Sequence, residues 1–348
     1  MELKRKVEIL EELGNVFSYC VDSSNSSQFL NEEVQQIAED LKSAISRAQH
    51  ENGWFTEESV TKSMEAWARS LQAENIENWL RNYQFSDDSK TVGLILAGNV
   101  PFVGLHDALC VLLSEHKLKA KLSSKDQLLM GTIINALKQI EPSWNDKIEL
   151  NVPLKGIDLL IATGSDNSAR YFDYYFKDVE KIIRKNRTSV AIVTKDDNSD
   201  SLAGLADDVF THFGLGCRNV TKVFVPKDYN LDQLFGAFYK YRDVANLNKY
   251  ANNYDYNKAV YLLNKIELIE NGFLLLKEDE GLHSPVGVLF YEYYNNLEEL
   301  SLKLNLYQDK IQCKVASIDQ EGFIPFGKAQ QPELWDYSDG VDTLKFLN

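Results

Sequence analysis

Thr91-Val92-Gly93-Leu94-Ile95-Leu96-Ala97-Gly98-Asn99-Val100-Pro101 decides how this chain is read. An apolar run of strand length ends in Gly-Asn-Val-Pro, residues that break a strand, and a helical stretch around His106 to Leu113 follows. The same alternation continues outward. Strands are expected at Thr91 to Ala97, Lys117 to Leu122, Asp158 to Thr163 and Ser189 to Thr194, and then at Lys222 to Val225, Gly272 to Leu276, Val286 to Phe290 and Ile311 to Val315. Amphipathic stretches separate them, which predicts an α/β fold with largely parallel sheets covered by helices.

Upstream of residue 85 the period changes. Val34, Ile37, Leu41 and Ile45 recur at helical spacing, as do Val60, Met64, Trp67 and Leu71, with Trp79 and Leu80 closing a third helix. The 348 residues suggest two domains at roughly 150 residues each. The polar stretch Asp196 to Ser201 marks the boundary, giving segments 1–197 and 198–330 with a tail at 331–348.

The net charge of −15 argues against nucleic acid or an anionic membrane surface as partner. The opening MELKRKVEILEEL lacks a signal-peptide core, and no run of 18 apolar residues occurs, so a cytoplasmic location without membrane insertion is expected. Cys20, Cys110, Cys217 and Cys313 are scattered without a CxxC pair, so neither a metal site nor a disulfide framework is encoded.

Four short elements carry the chemistry. In Phe213-Gly214-Leu215-Gly216-Cys217-Arg218-Asn219 two glycines allow a carbonyl to approach the thiol, and Arg218 favours its thiolate. A small buried cysteine is the bland alternative. The stretch is not a dinucleotide fingerprint, since Asn219 stands where GxGxxG needs glycine, and neither GxxxxGK[ST] nor HExxH occurs. Asn99 is placed to donate to an oxyanion, or is a turn residue ahead of proline. Lys119-Ala120-Lys121-Leu122-Ser123-Ser124 and Ala162-Thr163-Gly164-Ser165-Asp166-Asn167 both end strands, where open α/β sheets bind ligands. Lys121 as a solvated lysine, and Ser165 or Asp166 as helix caps, are the alternatives.

Taken in chain order the four elements resemble motifs of the aldehyde dehydrogenase superfamily, and more closely its acyl-CoA reductase branch, which includes the fatty-acid reductase of bacterial bioluminescence. AGNVP stands where the superfamily has PWNxP, KLSS where it has KPSE, ATGS where it has FTGS, and FGLGC where it has GQxC. Ser284-Pro285-Val286 resembles its GPV segment and Pro325-Phe326-Gly327 its PFG turn. Lys249 to Tyr256 and Leu334 to Gly340 are similar to the reductase branch in particular.

The resemblance implies an aldehyde-dehydrogenase-like fold of two Rossmann-like parallel-sheet domains with a helical N-terminal segment. Segment 1–197 would bind a nicotinamide cofactor and segment 198–330 would bear the nucleophile. The tail 331–348 would return to the cofactor domain or serve an oligomer interface. Cys217 would take the acyl group from an acyl-CoA, fatty acyl in the reductase branch, as a thioester that is reduced to an aldehyde. Asn99 and the Cys217 amide would stabilise the oxyanion; Lys121 and Ser123 would hold the adenosine ribose, and Gly164 and Ser165 would lie beside the pyrophosphate.

Two departures refine this reading. Oxidising members carry a glutamate that activates the hydrolytic water in an ELGGK-like segment; the corresponding stretch, Ile183 to Ser189, has none, which suits reduction over hydrolysis. Ser124 replaces the last residue of KPSE, so no carboxylate repels a 2′-phosphate and NADPH is expected, with NADH the alternative. Arg184, Lys185 and Arg187 either meet CoA or cofactor phosphates or form a solvated basic face. Roles for His106, His212, His283 and Glu280 stay open, and Tyr171, Phe172, Tyr174, Tyr175 and Phe176 either line an acyl tunnel or fill a core, the core being expected. An acyl-phosphate reductase, a CoA-acylating dehydrogenase and a non-catalytic partner subunit are the competing functions, and the resemblance implies a homo-oligomer.

Overall fold

The apolar runs become strands of two separate sheets. A computed structural model describes residues 1–22, 32–86, 88–318 and 320–348, with the backbone alone at Asp166. The chain divides into two units, one of Met1–Asn186 with Pro332–Asn348 and one of Arg187–Gln331.

In the first unit, β1 (Thr91–Ile95), β2 (Lys117–Lys121), β3 (Ile148–Leu150), β4 (Leu159–Thr163) and β5 (Glu180–Arg184) form one parallel sheet in the order β3-β2-β1-β4-β5. The chain steps from β1 out to β3, then restarts on the other flank of β1. Ile95 lies opposite both Lys121 and Ala162, so the segments leaving β1, β2 and β4 emerge together. Such a reversal of strand order is where open α/β sheets place ligands.

Helices α1 (Leu3–Val21), α2 (Glu32–Glu51), α3 (Glu57–Ser70) and α4 (Ala73–Leu80) precede the sheet. Val34, Ile37, Leu41 and Ile45 are all buried, as their spacing predicts. Thr56 caps α3 by accepting from the Ser59 amide at 3.2 Å, a contact worth about 1 kcal/mol. Between strands run α5 (Leu105–Leu113), α6 (Leu128–Ile140) and α7 (Asp166–Tyr175). Nearly every residue of α5 is apolar, and a helix apolar on all sides belongs inside.

The second unit holds a six-stranded sheet in the order β11-β6-β7-β10-β9-β8, comprising β6 (Thr188–Ile192), β7 (Val220–Pro226), β8 (Ile269–Glu270), β9 (Leu275–Glu278), β10 (Val288–Tyr294) and β11 (Ile311–Ala316). All pairings are parallel except β8 with β9. Helices α8 (Ser199–Phe210), α9 (Asp232–Phe238), α10 (Asn248–Leu263) and α11 (Leu297–Leu306) connect them.

Several expectations shift. β6 pairs with β7 and β11, so the units divide at 186/187 where the sequence suggested 197/198. Strands β3, β5 and β8 were not anticipated: β3 and β8 are too short to show alternation, and the edge strand β5 has charged residues at both ends. Gly272 and Gly287, at φ +90° and +80°, hold the chain in turns, delaying β9 and β10 beyond their expected starts.

The aromatic run of α7 is split by helix geometry. Phe172 and Phe176, one turn apart, pack against Ile157, Leu160 and Ala162, whereas Tyr171, Tyr174 and Tyr175 are 64, 75 and 72% exposed and are not core. Arg184 is corrected too. It is buried, donates to both carboxylate oxygens of Asp107 at 2.7 and 3.1 Å, and reaches Ser338 O at 2.6 Å and Thr343 Oγ1 at 2.8 Å. It therefore ties β5 to α5 and the tail and meets no phosphate. Lys185 is exposed, and Arg187 reaches Gln308 O and Ile311 O, each at 3.4 Å.

The tail belongs to the first unit through further contacts. Tyr337 OH accepts from Trp79 Nε1 and shares a hydrogen bond with Tyr83 OH, both at 2.8 Å. Leu344 and Leu347 of the short terminal helix Thr343–Leu347 are fully buried. Among the described residues no helix is long and apolar enough to cross a membrane.

Candidate active site

The groove at the carboxyl ends of β1 and β2 is lined by Ile95, Leu96, Lys121, Leu122, Ser123, Ser124, Gln127 and Asn151. Three of the expected cofactor residues, Lys121, Ser123 and Ser124, thus come together. Gln127 and Asn151 were missed. Asn151 sits in the left-handed region at φ 55°, and its Oδ1 accepts from the Leu122 amide at 3.1 Å, fixing the strand end. Its position just after a three-residue strand hid it.

The loop after β1 packs on this groove. A Cβ at Gly98 would lie 2.6 Å from Ser123 Oγ and 3.2 Å from Asp126 Cβ, so only glycine fits. Asn52 Nδ2 donates to Gly98 O at 3.1 Å, and the next residue, Asn99, is exposed. Asp126 is buried, with Oδ1 accepting from the Met130 amide at 3.2 Å, and burial pushes its carboxyl up to about 7.

Gly164 and Ser165 follow β4, outside the lining of that groove. Ser165 Oγ accepts from the Ser168 amide at 3.3 Å, so it caps α7. A Cβ on Gly164 would lie 2.8 Å from Ser168 Cβ, so the glycine permits close strand-to-helix packing. The alternative offered for Asp166, a cap through its side chain, lies outside the described residues.

In the second unit Cys217 is the exposed cysteine; Cys110 and Cys313 are buried and Cys20 is half-buried. Burial pushes the Cys20 thiol up to about 12 and the Cys110 thiol well above its usual value, so neither is a thiolate at neutral pH. Cys217 occupies a tight turn closed by Asn219 N donating to Gly216 O at 3.0 Å. Asn219 is fully buried: its Oδ1 accepts from the Gly216 amide at 2.8 Å, and its Nδ2 faces the carbonyls of Asp208, Val209 and Thr211 at the end of α8. From below, Ser189 Oγ donates to Cys217 O at 3.0 Å and accepts from the Cys313 amide at 3.1 Å. The main chain of Cys217 is fixed on two sides while its side chain is exposed.

Just upstream, His212, Phe213 and Gly214 all take φ between 56° and 77°. Left-handed non-glycine residues cost roughly 1–3 kcal/mol each and persist where surroundings hold them, here the contacts of Asn219. The remaining open roles resolve toward packing or exposure. His106 packs against Trp79 and Tyr337 at ring distances of 5.1 and 5.4 Å, tilted to the first and edge-on to the second, with Nε2 2.8 Å from Leu334 O. His283 and Glu280 are exposed.

No family model matches the chain, and no curated protein matches it in sequence. Solved structures match it in fold. Aldehyde dehydrogenase 21 of Physcomitrella patens, in complex with the reaction product succinate, superposes with a TM-score of 0.63 at 12% identity, over 92% of this chain and 74% of its own. An NAD-dependent aldehyde dehydrogenase of Sinorhizobium meliloti gives 0.61 at 12%, over 92% and 71%. Glyceraldehyde-3-phosphate dehydrogenase of Methanocaldococcus jannaschii, complexed with NADP, gives 0.58 at 13%, over 92% and 77%. The fold is aldehyde-dehydrogenase-like, as the motifs implied.

Proposed function

We propose that the protein is an acyl-CoA reductase, forming an aldehyde from a fatty acyl-CoA through a thioester on Cys217 with NADPH as reductant. The observation that carries this is the turn 216–219, which fixes the main chain of an exposed cysteine at the position of the GQxC motif.

The cofactor is consistent with the residues present. Lys121, Ser123 and Ser124 line one groove at a reversal of strand order, with no carboxylate among its lining residues to repel a 2′-phosphate. Lys121 and Ser123 would hold the adenosine ribose, and the Gly164–Ser165 turn would face the pyrophosphate. When bound, the nicotinamide supplies hydride to the acyl carbon.

In this reading Cys217 Sγ bonds to the thioester carbon and the CoA thiolate leaves, taking up a proton. As the resemblance implies, Asn99 Nδ2 and the Cys217 amide would donate to the oxyanion, each worth about 3–4 kcal/mol. After reduction the thiohemiacetal releases aldehyde and returns the thiol. Reduction over hydrolysis is supported by the stretch Ile183 to Ser189, which has no glutamate where oxidising members carry the water-activating one and whose Arg184 is held by Asp107.

The test is acyl-CoA-dependent oxidation of NADPH, with NADH in parallel, by wild type and Cys217→Ser, trapping aldehyde and assaying CoA. Aldehyde and CoA should form in wild type alone. Turnover with an acyl phosphate but no acyl-CoA would move the donor, and turnover with neither would favour a non-catalytic partner subunit.

A further inference from the structure

The α8 stripe Leu202, Leu205, Ala206 and Val209 is apolar, yet Asp208 beside it is fully buried. Its Oδ2 accepts from the Gly327 amide at 2.7 Å and its Oδ1 from the Ala329 amide at 3.0 Å. The Ala329 carbonyl in turn accepts from Arg218 Nη1 at 3.2 Å. The Asp208 carbonyl accepts from Asn219 Nδ2 at 3.2 Å. These bonds close a ring: Asp208 to Ala329, Ala329 to Arg218, Arg218 through the chain to Asn219, and Asn219 back to Asp208. Cys217 lies next to Arg218 on the turn that this ring grips.

The two segments approach closely. A Cβ on Gly204 would lie 3.0 Å from the Phe326 carbonyl, and Gly327 has φ +81°, so the 325–329 segment seats on α8 where Asp208 reaches it.

We propose that Asp208 is a positioning residue for Cys217, acting through Ala329 on Arg218 and through Asn219 on the 216–219 turn. The proposal rests on the reading of Cys217 as the nucleophile. A buried carboxylate is costly in apolar surroundings, and two main-chain donors aimed at its two oxygens are the usual compensation. The ionised form satisfies both donors, whereas a protonated carboxyl would set its own O–H against one of them. Burial nevertheless pushes this carboxyl up to about 7, the two amides pulling it down, with Asp207 opposing and Lys240 assisting ionisation.

The experiment compares two reactions of Cys217 in the full chain. Acylation by p-nitrophenyl acetate needs an oriented thiol, whereas alkylation by iodoacetamide, read by peptide mass, needs only an exposed one. In Asp208→Asn, which keeps one acceptor, acylation should fall about tenfold, and in Asp208→Ala further, because small displacements of a nucleophile cost one to two orders of magnitude. Alkylation should stay within about threefold, and KM for the acyl donor should hardly move. Arg218→Met reads the other side of the ring if Asp208→Ala folds poorly. The double variant should lose less than the product of the singles, since both cut one ring.

Unchanged acylation in a folded Asp208→Asn protein overturns the proposal. So does a parallel loss of alkylation, which would put Asp208 in control of thiol ionisation. A wild-type Cys217 that the ester does not acylate removes the nucleophile and the proposal with it. Ester acylation without aldehyde from any acyl-CoA would end the reductase reading and leave the positioning role standing.

Discussion

The groove at the strand ends of the first unit and the cysteine turn of the second use their side chains in opposite ways. The groove collects side chains at the carboxyl ends of parallel strands, and its lysine and serines are open to a ligand. The turn precedes β7 and spends its neighbours' side chains on main-chain groups: Asn219, Ser189 and Arg218 all bond to backbone, leaving the thiol of Cys217 exposed. A binding surface needs side-chain donors facing outward. A nucleophile needs one atom in one place, which is achieved by immobilising the chain behind it.

Four variants and conditions sharpen the contrast. Arg184→Met should have the largest effect, because it leaves Asp107 charged and buried; about 3–5 kcal/mol of stability should be lost. All five tryptophans, at 54, 67, 79, 144 and 335, lie in the first unit, so their fluorescence in denaturant should report this loss, while iodoacetamide labelling of Cys217 should not change with it. If both probes shift together, the units do not unfold independently.

Asn99→Ala should lower kcat for aldehyde formation about 10²–10³-fold with KM nearly constant, as expected for a donor that acts on the oxyanion alone. An equal rise in KM would make Asn99 a binding residue. Ser124→Glu should weaken NADPH about tenfold or more and spare NADH, since a carboxylate facing a phosphate costs at least 1–2 kcal/mol. Cys217 alkylation should not respond to it. Equal loss of both cofactors would remove Ser124 from the 2′-position.

The smallest effect is a pH dependence. Asp126 in the first unit and Asp208 in the second are both raised by burial from the ordinary 3.8 to about 7. The folded protein therefore holds protons that the unfolded chain releases. Stability from this source is complete below about pH 4 and is lost as pH rises through 7. Asp126→Asn should flatten the tryptophan-detected unfolding curve between these limits, and Asp208→Asn should leave that curve unchanged. Wild type and Asp126→Asn curves that change with pH in the same way would contradict the shift at Asp126.

Much of this was legible in the chain. Strands β1, β2, β4 and β7 announce themselves by apolar runs, and Gly214, Gly216 and Cys217 by their spacing. Asn99, Lys121, Ser123 and Ser124 stand at strand ends, a position that pattern alone fixes. An acid beside a helix's apolar stripe was a signal at Asp208 that periodicity could have raised. Nothing local marked Asn151 or Ser189, since a polar residue near a strand looks the same whether it faces solvent or a neighbouring loop.

The sequence by itself determined the α/β order of elements, the helical N-terminal segment and the residues able to do thiol chemistry, because periodicity and turn composition act over a few residues. Only the tertiary structure decided that Arg184 pairs with Asp107 and the tail, that Asp208 holds Ala329, and that Gly98 seats on Ser123. Those contacts join residues 25 to 159 positions apart or lie against a buried backbone, where packing of the sheet, and no local preference, sets the partner.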